Sequence, residues 1–357
     1  MCKFKEMPKM ERQMYQQLWK EKEYVEKLLN CTISPRKSSG KPSSFYFEGD
    51  METKELLKEI FEIENKDLFD MKFMMATSGD GDEGRKIRTL HSSSLCALLF
   101  FYNVTKEHPL TLNLEGRVIK FTRSVFEFKS PVIRNASNMD IVLYGKEEAK
   151  GKKVIFLLES KFSEHYMYSD NKLKGISKAY KDEKQYSYPF YTKDFLERLN
   201  LKEDSDKNKK SDDSKFDLKL IEESQEQEYY IGGIKQMISH YIGMRKLEEN
   251  KFYGGKKSGC HICMEEDIVD GEDIILGEIL FGDIVEAMQS ATEKYKIKYK
   301  LLAEKMNQIL VDVGKKRLYV LKEDLSYSKL FKDKFYSVED KIWQYYFGQD
   351  VDLLKKM

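Results

Sequence analysis

Cysteine is scarce: five in 357 residues, an odd number scattered along the chain. That excludes the disulfide framework of a small secreted fold, and reduced thiols are expected. Long hydrophobic runs are missing as well. The longest unbroken apolar stretch is the eight residues from Leu95 to Tyr102, far short of the roughly 20 needed to cross a bilayer, so no membrane partner is expected. Nor does charge of one sign prevail: 62 Lys+Arg face 61 Asp+Glu, a formal net charge of +1. This excludes a globally basic polyanion binder, though not charges sorted into local patches. No repeat with a period of roughly 20–50 residues is visible. The N-terminus, Met-Cys-Lys-Phe-Lys-Glu, is charged where a secretory leader would be apolar, and a cytoplasmic location is expected.

What is present suffices for a core. Hydrophobic residues make up 41% of a length that allows one large or two small domains. Apolar spacing predicts a helix over 11–30 and a second over about 51–69, with a loop at Ser34–Ser44 (SPRKSSGKPSS) between them. The run RKIRTLHSSSLCALLFFYNV predicts a helix that becomes buried. Segments 117–121, 124–133, 139–145 and 153–162 are rich in β-branched and aromatic residues and predict the strands of one meandering sheet. Residues 200–228, with NLKEDSDKNKKSDDSK at their start, predict a solvated insertion. Helical spacing returns at 232–244, a buried strand is predicted at 273–281, and an amphipathic helix at 284–310.

Side chains two apart on a strand share a face, so Glu159 and Lys161 in VIFLLESKF project together. Glu-x-Lys occurs seven times in the chain, and most occurrences must be solvated. The one at Glu159 differs because five apolar residues, Val154 to Leu158, lead into it. Charges ending a buried strand are costly unless paired, metal-bound or exposed. Asp140 begins the preceding strand, and a hairpin between the two strands brings it beside Glu159. Two carboxylates, a backbone carbonyl and waters suit a hard divalent ion, with Lys161 facing the same water. The plainer reading makes Asp140 a turn cap and Glu159 with Lys161 an exposed ion pair. Glu127 in SVFEFKS also lies on a strand, as a candidate neighbour.

The order strand, Asp, hairpin, strand, Glu-x-Lys, helix resembles the PD-(D/E)xK, or restriction-endonuclease-like, nuclease superfamily, including its little-described bacterial members. The likeness runs from about Ser78 to Phe281. It implies an α/β fold: a restriction-endonuclease-like central mixed β-sheet flanked by helices. On that reading 1–75 is an N-terminal helical extension and 76–283 the nuclease-like core with its charged insertion. Residues 284–357 are then a C-terminal helical extension packed on the core. The resemblance implies metal-dependent phosphodiester hydrolysis, with Asp140 and Glu159 holding Mg²⁺, Mn²⁺ being the alternative, and Lys161 serving the attacking water. Met139 stands where the family has Pro. Glu83, ahead of the buried helix, matches an acidic residue that assists metal binding in many members. Gln236 matches the helix glutamine of the exonuclease-like branch, with His240 in place of the Tyr four residues later. Nucleic acid, DNA rather than RNA, is the implied partner; oligomeric state stays open, a homodimer being one option. The alternative is a catalytically inactive nucleic-acid-binding or assembly protein of the same fold.

Other motifs point elsewhere only weakly. Gly79, Gly81 and Gly84 spell a dinucleotide fingerprint, but Asp80, Asp82 and Glu83 would repel a pyrophosphate. Cys260 and Cys263 have metal-ligand spacing without a second pair. His91 beside Ser92, Ser93 and Ser94 predicts helix capping rather than a triad. Tyr295 and Tyr299 are expected on a buried helical stripe, with Lys294 and Lys298 solvated beside them.

Overall fold

The computed structural model describes residues 9–348 apart from 20–21, 39–40, 79–85, 132–135, 164–175, 178–196, 204–214, 217, 223, 225, 232–233, 249–271, 282–288 and 333–337. Where one helix is expected over 11–30, two form, α1 (Lys9–Trp19) and α2 (Lys22–Leu29). The predicted loop after them is instead a hairpin of β1 (Thr32–Ser38) and β2 (Lys41–Glu48). Ile33, Phe45 and Phe47 are all fully buried. Their burial on one face outweighs the Pro, Gly and Ser content of the tip. Helices α3 (Thr53–Ile60) and α4 (Lys66–Ala76) follow. Helix α5 (Ser93–Phe101) is capped by Ser92, whose side chain accepts the Leu95 N–H at 3.1 Å. Seven of its nine residues are buried, as expected of a helix apolar all round.

The central sheet has seven strands. Strands β3 (Leu110–Leu114), β4 (Arg117–Pro131), β5 (Ala136–Glu147) and β6 (Lys153–Lys161) form the expected antiparallel meander. Strand β3 escaped the sequence reading, although its burial alternates residue by residue.

A parallel neighbour for β6 needs a long crossover. The chain between holds β7 (Ile176–Ser177), β8 (Leu201–Glu203), β9 (Lys215–Phe216), β10 (Leu218–Glu222), β11 (Gln227–Tyr230) and α6 (Lys235–Glu248). Of these, β8, β10 and β11 form a small sheet inside the stretch expected to be a solvated insertion. Leu201 and Leu220 are buried there, which gives those short strands an apolar anchor despite their charge. Strand β12 (Asp273–Leu280) then pairs parallel to β6. After α7 (Gln289–Asp312), strands β13 (Leu318–Val320) and β14 (Leu325–Ser326) both pair parallel with β12. Helices α8 (Tyr327–Lys332) and α9 (Asp340–Phe347) end the described chain. The architecture is thus mixed α/β around a mixed sheet, and strands as well as helices follow residue 284.

Residue parity divides the core. Ile141, Leu143, Phe156, Leu158 and Ile279 join a cluster with α5, the N-terminal helices and α9. Leu157, Val142 and Leu276 join one with Met237, Tyr241, Tyr295 and Tyr299 of α6 and α7. Cover on both faces explains why β6 and β12 are nearly continuous apolar runs. The sheet curls. Glu115, after β3, accepts from the Tyr319 hydroxyl and, at 2.6 Å, from the Lys322 N–H, linking its two outer edges. At Gly277 a Cβ would lie 2.9 Å from the Phe156 ring, so the close approach of β12 to β6 requires glycine there. Tyr295 and Tyr299 are buried as expected. Lys298 is buried too, its amine donating to the Tyr230 carbonyl at 3.2 Å, so it is not the solvated lysine that its spacing suggests. Among the described residues no helix is long and apolar enough to cross a membrane.

Candidate active site

Three strand registers place the acids. In the β5–β6 pair Ile141 faces Leu158, which brings Asp140 beside Glu159; the Asp140 carboxylate accepts the Ser160 N–H at 2.7 Å. In the β4–β5 pair Phe126 faces Ile141 and Phe128 faces Met139, which sets Glu127 against Asp140. In the parallel β6–β12 pair Glu278 stands directly beside Glu159. Glu127, Asp140, Glu159 and Glu278 therefore form one row across four adjacent strands. Glu127 has φ 48°, a left-handed value that is strained for a residue with a side chain.

Lys161 lies two residues beyond Glu159 on the same face. Its ammonium donates to Glu159 Oε1 at 2.6 Å and to Gln236 Oε1 at 2.5 Å. Gln236 comes from the first turn of α6. One turn later His240 approaches the other oxygen of the same carboxylate, Nε2 to Glu159 Oε2 being 2.9 Å. From α7 the Tyr295 hydroxyl donates to Glu278 Oε2. Glu278 Oε1 is buried with no hydrogen-bond partner among the described residues. Lys161 is 3% exposed, Glu159 2%, His240 1% and Glu278 0%, while Asp140 is only partly buried. The exposed ion pair considered for Glu159 and Lys161 is therefore excluded. Asp140 caps no turn with the bond it makes; it bonds across to the neighbouring strand.

The electrostatics follow from this packing. Burial pushes the Asp140 carboxyl well above the usual carboxylate range, and the negative charges of Glu159 and Glu127 push it further, against Lys161 and the Ser160 N–H. Burial acts the same way on Glu159, but Lys161 and then His240 outweigh it and hold Glu159 down at about 2. Glu278 is pushed up to about 8, chiefly by burial, with Lys161 acting against the rise.

Among the described residues no three His, Cys, Asp or Glu side chains are grouped to hold a metal ion. The pair Asp140 and Glu159 offers the hard oxygens that Mg²⁺ or Mn²⁺ takes, with waters completing the shell. Two features fit such an ion. Asp140 is disfavoured as an anion by the acids around it, which a cation would reverse, and Glu278 leaves a buried oxygen unmatched. One feature opposes it: both oxygens of Glu159 are engaged, by Lys161 and His240.

Of the residues singled out in the sequence, Asp140, Glu159, Lys161 and Gln236 come together, and Glu127 is their neighbour by register. Glu83 lies outside the described residues, as do Gly79, Gly81, Gly84, Cys260 and Cys263. His91 bonds to the Tyr15 hydroxyl through Nδ1 at 2.6 Å beside the capped start of α5. The sequence reading missed Glu278, and it placed Tyr295 on a buried stripe without its bond to that acid. A lone carboxylate within the apolar strand DIILGEILF was the available signal, by the same cost argument that picked out Glu159. Comparison with family models, with curated proteins and with solved structures found no match. The functional reading rests on the site's own geometry.

Proposed function

We propose that this chain is a metal-dependent nuclease that hydrolyses phosphodiester bonds of DNA. The observation that carries the reading is the Lys161 ammonium, held between Glu159 and Gln236 beside Asp140. It bonds Glu159 and the helix glutamine, while the strand register and the Ser160 N–H set Asp140 beside Glu159. Asp140 and Glu159 are the residues that would hold Mg²⁺ or Mn²⁺. The ion, when bound, would polarise the phosphoryl oxygen and acidify a water. Lys161 orients that water for attack and offsets the negative charge that develops at phosphorus. Gln236 fixes the direction of the amine, and His240 fixes the rotamer of Glu159.

The test is purified protein with plasmid, linear and single-stranded DNA and with RNA, in Mg²⁺, Mn²⁺ or chelator, beside Glu159→Ala and Lys161→Ala. Cleavage of DNA that needs the ion and disappears in both variants is expected. Identical products from wild type and variants would remove the reading. The engagement of both Glu159 oxygens by Lys161 and His240 favours a second reading, in which the same network is structural and the protein binds nucleic acid without cutting it. Filter binding that survives chelation, with no cleavage under any condition, is the outcome that selects it.

A further inference from the structure

Lys72 takes no part in the network around Asp140 and Glu159, yet it is only 4% exposed. It reaches from α4 to the outer edge of β4, which β3 covers only as far as Phe121, and donates there to the Ser124 carbonyl. Among the described residues that carbonyl is its only acceptor, and it forms no ion pair with any of them. The buried Lys58 and Lys161, by contrast, each meet a carboxylate. Burial first, and then the charge of Arg123, hold the Lys72 amine down at about 8. Lysines that blunt a strand edge do so where the edge is exposed, whereas α4 packs over this one. A buried charge is costly unless it is paired, and here the charge that acts on it has the same sign.

Arg123 links this spot to solvent. It is exposed, and its guanidinium lies 4.6 Å over the ring of Tyr144, its partner in the β4–β5 pair. Tyr144 packs against the cluster of α6 and α7, the helices that hold Glu159 and Glu278. Arg123 therefore stands on the face of the sheet that carries the acid row. Glu127 of that row follows four residues along β4, about 13 Å away at the usual strand rise. That distance is about four nucleotides of one DNA strand.

We infer that Lys72 and Arg123 together hold one backbone phosphate of a DNA strand whose scissile phosphate lies at Asp140 and Glu159. The two cations offer N–H donors to the phosphate oxygens, Lys72 from the buried side and Arg123 from the solvent side through its planar fork. The phosphate in turn pairs the Lys72 charge. A contact of this kind fixes the register of the strand and carries no sequence preference. The inference rests on the nuclease reading above and adds to it a strand-positioning site outside the motif.

DNA binding by the full chain, measured by fluorescence anisotropy in chelator so that no strand is cut, tests it over a series of salt concentrations. The variants are Lys72→Met, Arg123→Gln, the two together and, as a control, Lys150→Ala. Lys72→Met and Arg123→Gln should each weaken binding about 10-fold at low salt, equally for duplexes of unrelated sequence. In the double variant the slope of log affinity against log salt should fall by about 0.9, the share of one phosphate, while Lys150→Ala leaves it unmoved. If Lys72→Met does not fold, Lys72→Gln, which can still donate to the Ser124 carbonyl, takes its place with the same criteria. Where binding in chelator is too weak to measure, KM for Mg²⁺-dependent cleavage replaces the affinity. An unmoved slope in the double variant, or a Lys72 substitution that leaves affinity unchanged, overturns the inference. So does stabilisation of the wild type by inorganic phosphate that Lys72→Met abolishes while the DNA slope stays put, which would make this a site for the free anion. A wild type that neither binds nor cleaves DNA overturns the nuclease reading along with this one, whereas DNA binding that neither variant alters overturns this one alone.

Discussion

Strand β5 carries two acids toward opposite ends of the sheet, and their carboxyls are driven in opposite directions. Glu147 is buried, yet Arg117 and Lys150 outweigh the cost of burial and lower its pKa. Asp140 is raised well above the carboxylate range, by burial first and then by the charges of Glu159 and Glu127. At the Glu147 end Arg117 bridges Glu147 and Asp273, each at 2.8 Å, and Lys152 pairs with Asp273 at 2.5 Å. The acids there are enclosed while the bases reach water: Lys150 is 70% exposed at its side chain and Lys152 40%. At the Asp140 end the ammonium is as deeply buried as the carboxylate it meets. One pole is a rim whose charges are matched by solvated partners. The other encloses acids whose charges raise one another's carboxyls, with the buried Lys161 acting against the rise.

The comparison is broken most directly by removing charge from each pole. Glu159→Gln should lower DNA cleavage by about 100-fold or more, the scale seen when one preorganised electrostatic group is lost. A comparable loss from Glu147→Gln would mean that the two poles do not differ in function. In urea denaturation, Glu159→Ala should cost about 3–5 kcal/mol, because it takes the carboxylate partner from a buried ammonium. Replacing Glu159 and Lys161 together by Leu and Met should restore most of that stability while cleavage stays absent. If the double variant is as unstable as the single one, the pair is not the uncompensated element that the geometry makes it.

The same contrast explains what could be read in the residues alone. Asp140, Glu159 and Lys161 were legible because they mark the ends of consecutive strands, and a hairpin meander is a local matter of turns and alternation. Gln236 was legible only through the spacing of a helix and the resemblance of its motif. Glu278 was not, because it enters the site through a parallel pairing that spans more than 100 residues of intervening chain, and no local pattern fixes such a register. The β1–β2 hairpin was hidden for another reason. Its tip composition reads as loop, while Ile33, Phe45 and Phe47 hold it in the core.

An effect of intermediate size should appear in the pH dependence of stability. Glu278 has its pKa raised to about 8 from the ordinary 4.5, so the folded state binds its proton more tightly than the unfolded chain does. The stability this confers is complete below about pH 4.5 and is lost as pH rises to about 8. Glu159, lowered to about 2, works the other way: its contribution is present above about pH 4.5 and disappears as pH falls toward 2. Thermal melts of the metal-free protein should therefore decline from about pH 5 to 8 by the equivalent of a few kcal/mol. Glu278→Gln should reduce that decline to the part that Asp140, raised in the same direction, contributes, and leave the acid limb unchanged. A decline that the substitution does not reduce would assign it to other groups.

The smallest effect is expected at the rim. Lys150 meets Glu147 at 3.2 Å but is largely solvated, and Glu147 keeps Arg117 when Lys150 is gone. Lys150→Ala should therefore cost about 0–1 kcal/mol in urea denaturation. That cost should shrink further in 1 M salt, where screening acts over roughly 3 Å. Arg117→Ala should cost more than Lys150→Ala, since it takes one partner from Glu147 and one from Asp273 at once. Were Lys150→Ala to cost as much as Glu159→Ala, solvent access would not be what separates the two poles, and the acid row would lose its claim to be the exceptional one.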